Sequence, residues 1–414
     1  MNRLLVKNLA EIVTPLGKTA LRGKAMQDVK VYKNAAVYCE NGIIKLVGID
    51  EQVLSKLDGI TDIQVLDAQG KCAVPGFIDP HTHFLFGGTR ADEFISRLEG
   101  IPYMELLKRG GGIVSTMRQT RLMTETELYN TGKKTLENML RQGFTTIEGK
   151  SGYGLDRNTE LKMLRTMKKL RKDMPVTLKT TFLGAHAVPP EFADRSTDYI
   201  DFIIEQVLPI IKEENLAEFC DVFCEKNVFT IDEAKKLLLA AKKAGMKLKI
   251  HADEIVSTGG GSLAVEIGAI SADHLLSVTD ADIEKLAVSD TTAVLLPMTA
   301  FCMRKEFAPA RKMIDKGCIV ALASDFNPGS CYSYAAPFML ALAVISMHMT
   351  INEALTAITL NAAAAVDAAD VIGSIESGKK ADILLLSKPD YRFLVYLTGI
   401  NIVEHVIKDG KIIF

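Results

Sequence analysis

The sequence is poor in histidine, with seven in 414 residues. Cysteine is no more frequent, and Cys39, Cys72, Cys220, Cys224, Cys302, Cys318 and Cys331 include no CxxC pair. An odd, scattered set indicates neither a disulfide framework nor a zinc knuckle. Reduced thiols of a cytoplasmic protein are expected instead. No GxGxxG or P-loop stretch is present, which removes the usual phosphate-cradling chemistry. An excess of one charge is also missing: the formal net charge is −2. Neither nucleic acid nor an anionic membrane is therefore expected as a partner. The N-terminal "MNRLLVKNLAEIVTPLG" has no long apolar run, so no secretory signal is expected. The most apolar late segment, "AAPFMLALAVISMHM" (335–349), is short for a bilayer span and reads as a buried helix. There is no internal repeat and no low-complexity tract.

What is there is an ordinary globular composition, 48% hydrophobic and 24% charged. The length suits one large domain or two and buries an ample core without staples. The basic run "KMLRTMKKLRKD" (162–173) reads as a helix with Met163, Leu164, Met167 and Leu170 inward and its charges solvated.

Both chain ends are β-rich. "AAVYCENGIIKLVG" (35–48) is a hairpin around Asn41-Gly42, and "VEHVIKDGKIIF" (403–414) repeats the scheme around Asp409-Gly410. "ADILLLSK" (381–388) is a further β run. Neither flank is large enough alone, so 1–75 and 366–414 are expected to join in one small β-sandwich domain. Between them, at 76–365, eight short apolar strands alternate with helical patterns. The strands are expected at 76–83, 144–150, 176–186, 219–225, 247–253, 269–274, 292–297 and 319–326. "TETELYNTGKKTLENMLRQG" (124–143) and "TIDEAKKLLLAAKKAG" (230–245) open with capping-type residues and show amphipathic spacing. The pattern predicts an α/β fold, a (β/α)8 TIM barrel, with an open doubly wound sheet as the alternative.

The histidines gather where barrel active sites form. His81 and His83 end the first strand, His186 follows the third, His251 ends the fifth and His274 the sixth; Asp325 ends the eighth. His348 and His405 fall in a helix and in the β flank, where structural roles are expected. Residues two apart on a strand point the same way, so His81 and His83 aim two imidazoles at one place. Imidazole and carboxylate suit zinc or ferrous iron, and such a metal lowers the pKa of water toward neutrality. A lone histidine near a strand end is more often a hydrogen-bonded core or loop residue. The convergence of His81, His83, His251, His274 and Asp325 favours a metal site. In "HADE", Glu254 begins the loop after His251, in reach of a proton shuttle between water and a leaving nitrogen; a loop salt bridge is the plainer reading. His274 suits holding the attacking water, and Asp325 suits binding metal and accepting that water's proton.

These residues resemble a family. "PGFIDPHTH", histidines on strands five and six, "SD" on strand eight and the late "GSIESGKKADILLL" resemble the amidohydrolase superfamily. More narrowly, "DPHTHFLFGGTRADEF", "GGGIVSTMRQTR" (110–121), "IEGKSGYGLD" (147–156), "TFLGAHAVPPEF" (181–192), "HADE" and "SDFNPGS" (324–330) resemble the imidazolonepropionase family. The likeness extends over nearly the whole barrel and both flanks. It implies hydrolysis of the ring amide of 4-imidazolone-5-propanoate to N-formimidoyl-L-glutamate in histidine degradation, by a homodimer. It further implies one zinc or iron ion per subunit on His81, His83, His251 and Asp325, with Glu254, His274 and Asp325 catalytic. Arg90, Tyr153, His186, Glu254, Asn327, Gly329 and Ser330 would line the substrate site.

The residues themselves agree with that assignment. An arginine seven residues past His83 reaches the barrel mouth to meet a carboxylate, although an ion pair with Asp92 or Glu93 accounts for it equally. Tyr153 sits among glycines that let the loop turn sharply; a plain loop tyrosine is the alternative. "GGG" (110–112) is expected to shape a loop over the site. Gly149 stands where the family-like motif often has an apolar residue, which alters local packing. Many two-metal relatives carry a modified lysine at strand four, and here that strand ends "FCEK". Glu225 is placed either to reach a metal or to orient a ligand or form a buried ion pair; the resemblance implies one metal. Two competing functions remain open. One is a metal-dependent deaminase of a nucleobase-like heterocycle on the same fold. The other is an inactive scaffold, against which the full set of ligands argues.

Overall fold

The computed structural model describes residues 2–101 and 111–414. Five strands come first: β1 (Arg3–Pro15), β2 (Val29–Glu40), β3 (Ile43–Ile49), β4 (Gln64–Asp67) and β5 (Cys72–Pro75). Eight barrel strands follow: β6 (Phe77–Asp79), β7 (Phe144–Lys150), β8 (Thr177–Ala185), β9 (Phe219–Cys224), β10 (Lys247–Ala252), β11 (Ser271–His274), β12 (Thr292–Leu295) and β13 (Val320–Leu322). The chain ends with β14 (Ile383–Leu386), β15 (Val403–Lys408) and β16 (Lys411–Ile412).

The two ends of the chain share one mixed sheet, ordered β16-β15-β14-β5-β1-β2-β3, with β4 beside β1. Both expected hairpin turns are present. Asn41 and Gly42 have φ of 51° and 81°, and Asp409 and Gly410 have 47° and 69°. Two successive left-handed residues match the twist of antiparallel strands. The turns also touch: a Cβ on Gly42 would stand 3.1 Å from the Asp409 carbonyl oxygen. The alternation of β14 explains why its four residues are all apolar. Ile383 and Leu385 join a core enclosed by the end sheet, while Leu384 and Leu386 face the barrel's core. A strand buried on both faces reads as a continuous apolar run.

The middle is a parallel barrel in sequential order, β6 to β13. The seam is short. Among the described residues no ladder joins β6 to β13, and the barrel closes just beyond them through a bridge between Thr82 and Phe326. The His83 N–H donates to Phe326 O at 2.9 Å and the Asp325 N–H donates to His81 O at 3.0 Å. Helices Glu125–Arg141 and Ile231–Lys243 open on capping boxes, Thr124 with Glu127 and Thr230 with Glu233, which satisfy orphan N–H groups. Helix Arg157–Asp173 buries Met163, Leu164, Met167 and Leu170.

One expectation needs correction. His348 is not in a helix. The helix Ala336–Ala341 widens into a turn at Leu342–Ser346 and stops. His348 then takes φ 59° and is exposed, and Thr350 caps a new helix two residues later. His405 lies on β15, its Nδ1 2.7 Å from Phe414 O. No described helix is long and apolar enough to cross a membrane.

Gly149 has a packing reason. A Cβ there would lie 2.3 Å from Phe84 Cε1 and 3.1 Å from Met167 Sδ. The ring of Phe84, fully buried, occupies the space a side chain would take. Overpacking of this kind costs about 1–3 kcal/mol, so Gly149→Ala is expected to lower stability by that amount in urea unfolding.

Candidate metal centre and active site

The seam of the barrel builds the centre. The backbone bonds that pair 81–83 with 325–326 also hold His81, His83 and Asp325 together. His81 Nε2 and His83 Nε2 each lie 3.6 Å from Asp325 Oδ1. His251, on β10, brings its Nε2 to 3.4 Å from His83 Nε2. Donor atoms of His81, His83 and His251 lie within 4.8 Å of one another, as do those of His81, His274 and Asp325. All five residues are buried. His274 ends β11 with φ 81°, and Asp325 has φ 50°, a left-handed conformation uncommon outside glycine. Such backbone positions concentrate at functional sites.

A divalent cation fits this donor set. His81 Nε2 and both ring nitrogens of His274 are buried without a hydrogen-bond partner. Unpartnered buried nitrogens are costly unless something else binds them. Burial pushes the pKa of His81, His83 and His274 well below the ordinary histidine range, so they present neutral imidazoles. Burial acts the same way on His251 but Asp221 outweighs it, and the net shift is upward. Asp325 is pushed up to about 6 by burial, with the Thr299 hydroxyl opposing. Thr299 Oγ1 donates to Asp325 Oδ2 at 2.7 Å, which turns Oδ1 to the imidazoles.

Beneath the imidazoles lies a layer of buried charge. His81 Nδ1 is 2.6 Å from Asp273 Oδ2. His251 Nδ1 is 2.9 Å from Asp221 Oδ2, a short but bent contact, and the His251 N–H donates to Asp221 Oδ1 at 3.1 Å. A carboxylate on Nδ1 leaves Nε2 free to bind a metal. Lys150 Nζ donates to Asp221 Oδ2 at 2.8 Å and to Glu148 Oε1 at 3.0 Å. Burial lowers the Lys150 pKa, but Asp221, Glu148 and Asp273 outweigh it and hold it above the ordinary lysine range. The sequence reading missed this layer. Its trace was a charged residue in the middle of apolar strands: Glu148 and Lys150, Asp221, Lys249 and Asp273.

Glu254 lies above the cluster, with Oε2 3.6 Å from His274 Nε2 and a side chain 19% exposed. Burial pushes its pKa up to about 8. No salt bridge holds it among the described residues beyond that contact with His274. Glu225 is spent differently from a ligand: its Oε2 accepts the Ile255 N–H at 2.8 Å, which anchors the loop carrying Glu254. His186 stacks on His83 with centroids 4.8 Å apart and planes at 15°. The Tyr153 ring is 5.3 Å from His186 and 5.8 Å from His83. Its loop is organised by buried Glu160, which accepts the N–H groups of Gly152, Gly154 and Leu155. The sequence reading missed Glu160 too.

Arg90 makes no ion pair with Asp92 or Glu93 among the described residues; Glu93 instead accepts the Gly112 N–H at 2.9 Å. The guanidinium lies on Gly329, where a Cβ would stand 1.6 Å from Arg90 Nη2. Arg90 Nε is buried and unpartnered. Asn327 is committed to its own loop: Oδ1 accepts the Gly329 and Ser330 N–H groups at 2.8 Å, and Nδ2 donates to Asp325 O and Ser330 Oγ at 2.7 Å. Of the expected "GGG" loop, Gly110 lies outside the described residues, and Gly112 precedes helix Ile113–Leu122.

Residues 72–413 match the model of the amidohydrolase family. The imidazolonepropionase of Clostridium tetani is 53% identical, over 99% of this chain and 98% of its own. The chain belongs to the amidohydrolase family, among the imidazolonepropionases. The imidazolonepropionase of Parabacteroides distasonis is 51% identical, over 99% of both chains. Among solved structures, an atrazine chlorohydrolase variant from Arthrobacter aurescens TC1, complexed with zinc and atraton, superposes with a TM-score of 0.71 at 14% identity, covering 99% of this chain and 94% of its own. Guanine deaminase of E. coli gives 0.72 at 14% identity, covering 100% and 99%. At that identity the likeness is one of fold. The barrel and the sheet from the chain ends are thus the fold of the amidohydrolase family.

His81 is the donor common to both groups of converging ligands. His81→Ala is expected to abolish stoichiometric metal binding while the fold persists, checked by metal analysis after dialysis against zinc and by circular dichroism. Full retention of metal would contradict the arrangement.

Proposed function

We infer that this chain hydrolyses the ring amide bond of 4-imidazolone-5-propanoate to N-formimidoyl-L-glutamate. The observation that carries the reading is the pairing of a converging imidazole–carboxylate cluster with an unpartnered arginine nitrogen across the barrel mouth. His81, His83, His251 and Asp325 would hold one zinc or iron ion per subunit. That ion supplies Lewis acidity, which makes water nucleophilic near neutral pH.

The chain's own groups do the rest. Arg90, with Gly329 as the floor under its guanidinium, meets the substrate's propanoate as a charge-assisted pair. Tyr153 and His186 flank the ring and hydrogen-bond it, and Ser330 with the Gly329 backbone closes the acidic end. Asn327 acts by holding those two N–H groups in place. His274 orients the attacking water. Glu254 takes a proton from that water and delivers it to the ring nitrogen as the C–N bond breaks; its raised pKa suits a group that must both accept and donate. Asp325, turned by Thr299, is placed to accept the water's other proton as the product carboxylate forms. The same reading carries with it a homodimer working in the cytoplasm.

Purified protein given freshly generated 4-imidazolone-5-propanoate tests this, with spontaneous decay subtracted and products identified by mass. Metal-dependent N-formimidoyl-glutamate is the expected product. An untouched substrate, with ammonia released from a nucleobase-like heterocycle, would favour a deaminase. Glu254→Gln is expected to keep its metal and lose roughly 10²- to 10⁴-fold in kcat, the usual contribution of a general acid–base group. Gly329→Ala would displace Arg90. Losing a charged hydrogen bond worth about 1.5–3 kcal/mol is expected to raise KM roughly ten-fold or more in steady-state assays.

A further inference from the structure

Lys150 contributes no atom to the converging cluster, yet it sits where two of the cluster's imidazoles are held. Its Nζ lies 2.8 Å from Asp221 Oδ2 and 3.6 Å from Asp273 Oδ2. These are the same two oxygen atoms that face His251 Nδ1 at 2.9 Å and His81 Nδ1 at 2.6 Å. One ammonium on β7 therefore spans to β9 and β11, and through them to imidazoles at the ends of β10 and β6. Every member of this layer is fully buried: Glu148, Lys150, Asp221, Lys249 and Asp273. Lys249 shares the layer and its charge also favours the Asp273 carboxylate, but among the described residues it makes no ion pair with either aspartate. Its Nζ donates to Pro80 O at 2.8 Å and Ala365 O at 3.1 Å, and its ion pair is with Glu148 at 3.4 Å. Among the described residues, Lys150 is the one lysine in ion-pair contact with Asp221 and Asp273.

We propose that Lys150 is a positioning residue for the metal centre: it fixes Asp221 and Asp273, and through them the directions of His251 and His81, and so sets metal affinity without touching the metal. The physical reason is repulsion. Without Lys150, Asp221, Asp273 and Glu148 face one another in a dry interior with Lys249, paired to Glu148, as the remaining ammonium of the layer, and like charges act strongly there. The carboxylates then move apart or take other partners, and each carries its imidazole with it. Outer partners of metal-binding histidines typically contribute roughly 10- to 100-fold in affinity. The proposal rests on the metal-site reading above.

The test is zinc affinity, measured by competition with a chromogenic chelator, on metal-free protein prepared in parallel. Lys150→Met strands buried carboxylates and risks misfolding, so Lys150→Met combined with Glu148→Gln is the main variant; it removes one cation and one anion together. Zinc binding roughly 10- to 100-fold weaker than in the unmodified chain is expected, with the metal-free unfolding midpoint shifted far less. A merely structural role would lower that midpoint and leave zinc affinity unchanged, and this outcome would overturn the proposal. Asp221→Asn with Asp273→Asn provides a second measurement: it is expected to weaken zinc binding to a similar degree and to make further loss from the Lys150 change small. Full additivity would overturn the proposal as well. An unmodified chain that takes up neither zinc nor iron would overturn the metal-site reading and this proposal together, whereas wild-type affinity in the double variant would overturn this proposal alone.

Discussion

The site depends on how the barrel closes. Strands β6 and β13 are too short to meet over their length, and the join is completed by the backbone of 81–83 against that of 325–326. The segment that seals the cylinder is the segment that carries His81, His83 and Asp325. A loop would leave these side chains free to sample rotamers and backbone states. A paired backbone gives each a single direction, which is what a metal or a reacting water demands. The left-handed conformation at Asp325 and His274 is held by backbone pairing on one side of each, Asp325 with His81 and His274 with Ala252.

Closing the barrel brings a second consequence. Polar side chains that point inward from parallel strands have no water to turn to, so they must answer one another. The interior beneath the site is accordingly a charge lattice of lysines and carboxylates rather than an apolar plug. Such a lattice is not an efficient source of stability, because desolvation offsets most of its Coulombic gain. Its value is directional. Asp273 and Asp221 engage the Nδ1 side of His81 and His251, and burial keeps His81, His83 and His274 neutral; together they present lone pairs to one small volume. The loops above the site follow the same logic with fewer charges. Glu160 spends its carboxylate on three backbone N–H groups so that Tyr153 has a defined place, and Asn327 does the same for Gly329 and Ser330.

Much of this was legible in one dimension. Short apolar runs alternating with helical patterns located the eight barrel strands to within a few residues, since a buried parallel strand has to be apolar and short. Asn41-Gly42 and Asp409-Gly410 announced their hairpins because few other residue pairs accept two positive φ values. The HxH pair, "HADE" and "SD" were visible because strand ends are where side chains leave the core. His348 was misplaced because an apolar run does not mark the wide turn that ends its helix. Glu160 was hidden because an acidic residue in a helix's first turn looks like a cap.

By itself the sequence determined the fold class and the histidines at strand ends, which follow from local period, turn chemistry and spacing, and its motifs carried the family likeness. Only the tertiary structure decided which oxygen faces which nitrogen. That Lys150 touches the two atoms holding His251 and His81, that Thr299 turns Asp325, and that Gly329 is bare because Arg90 lies on it are contacts between residues tens to hundreds of positions apart. No local periodicity encodes such pairings. They come from the closure of the barrel, which converts sequence distance into contact.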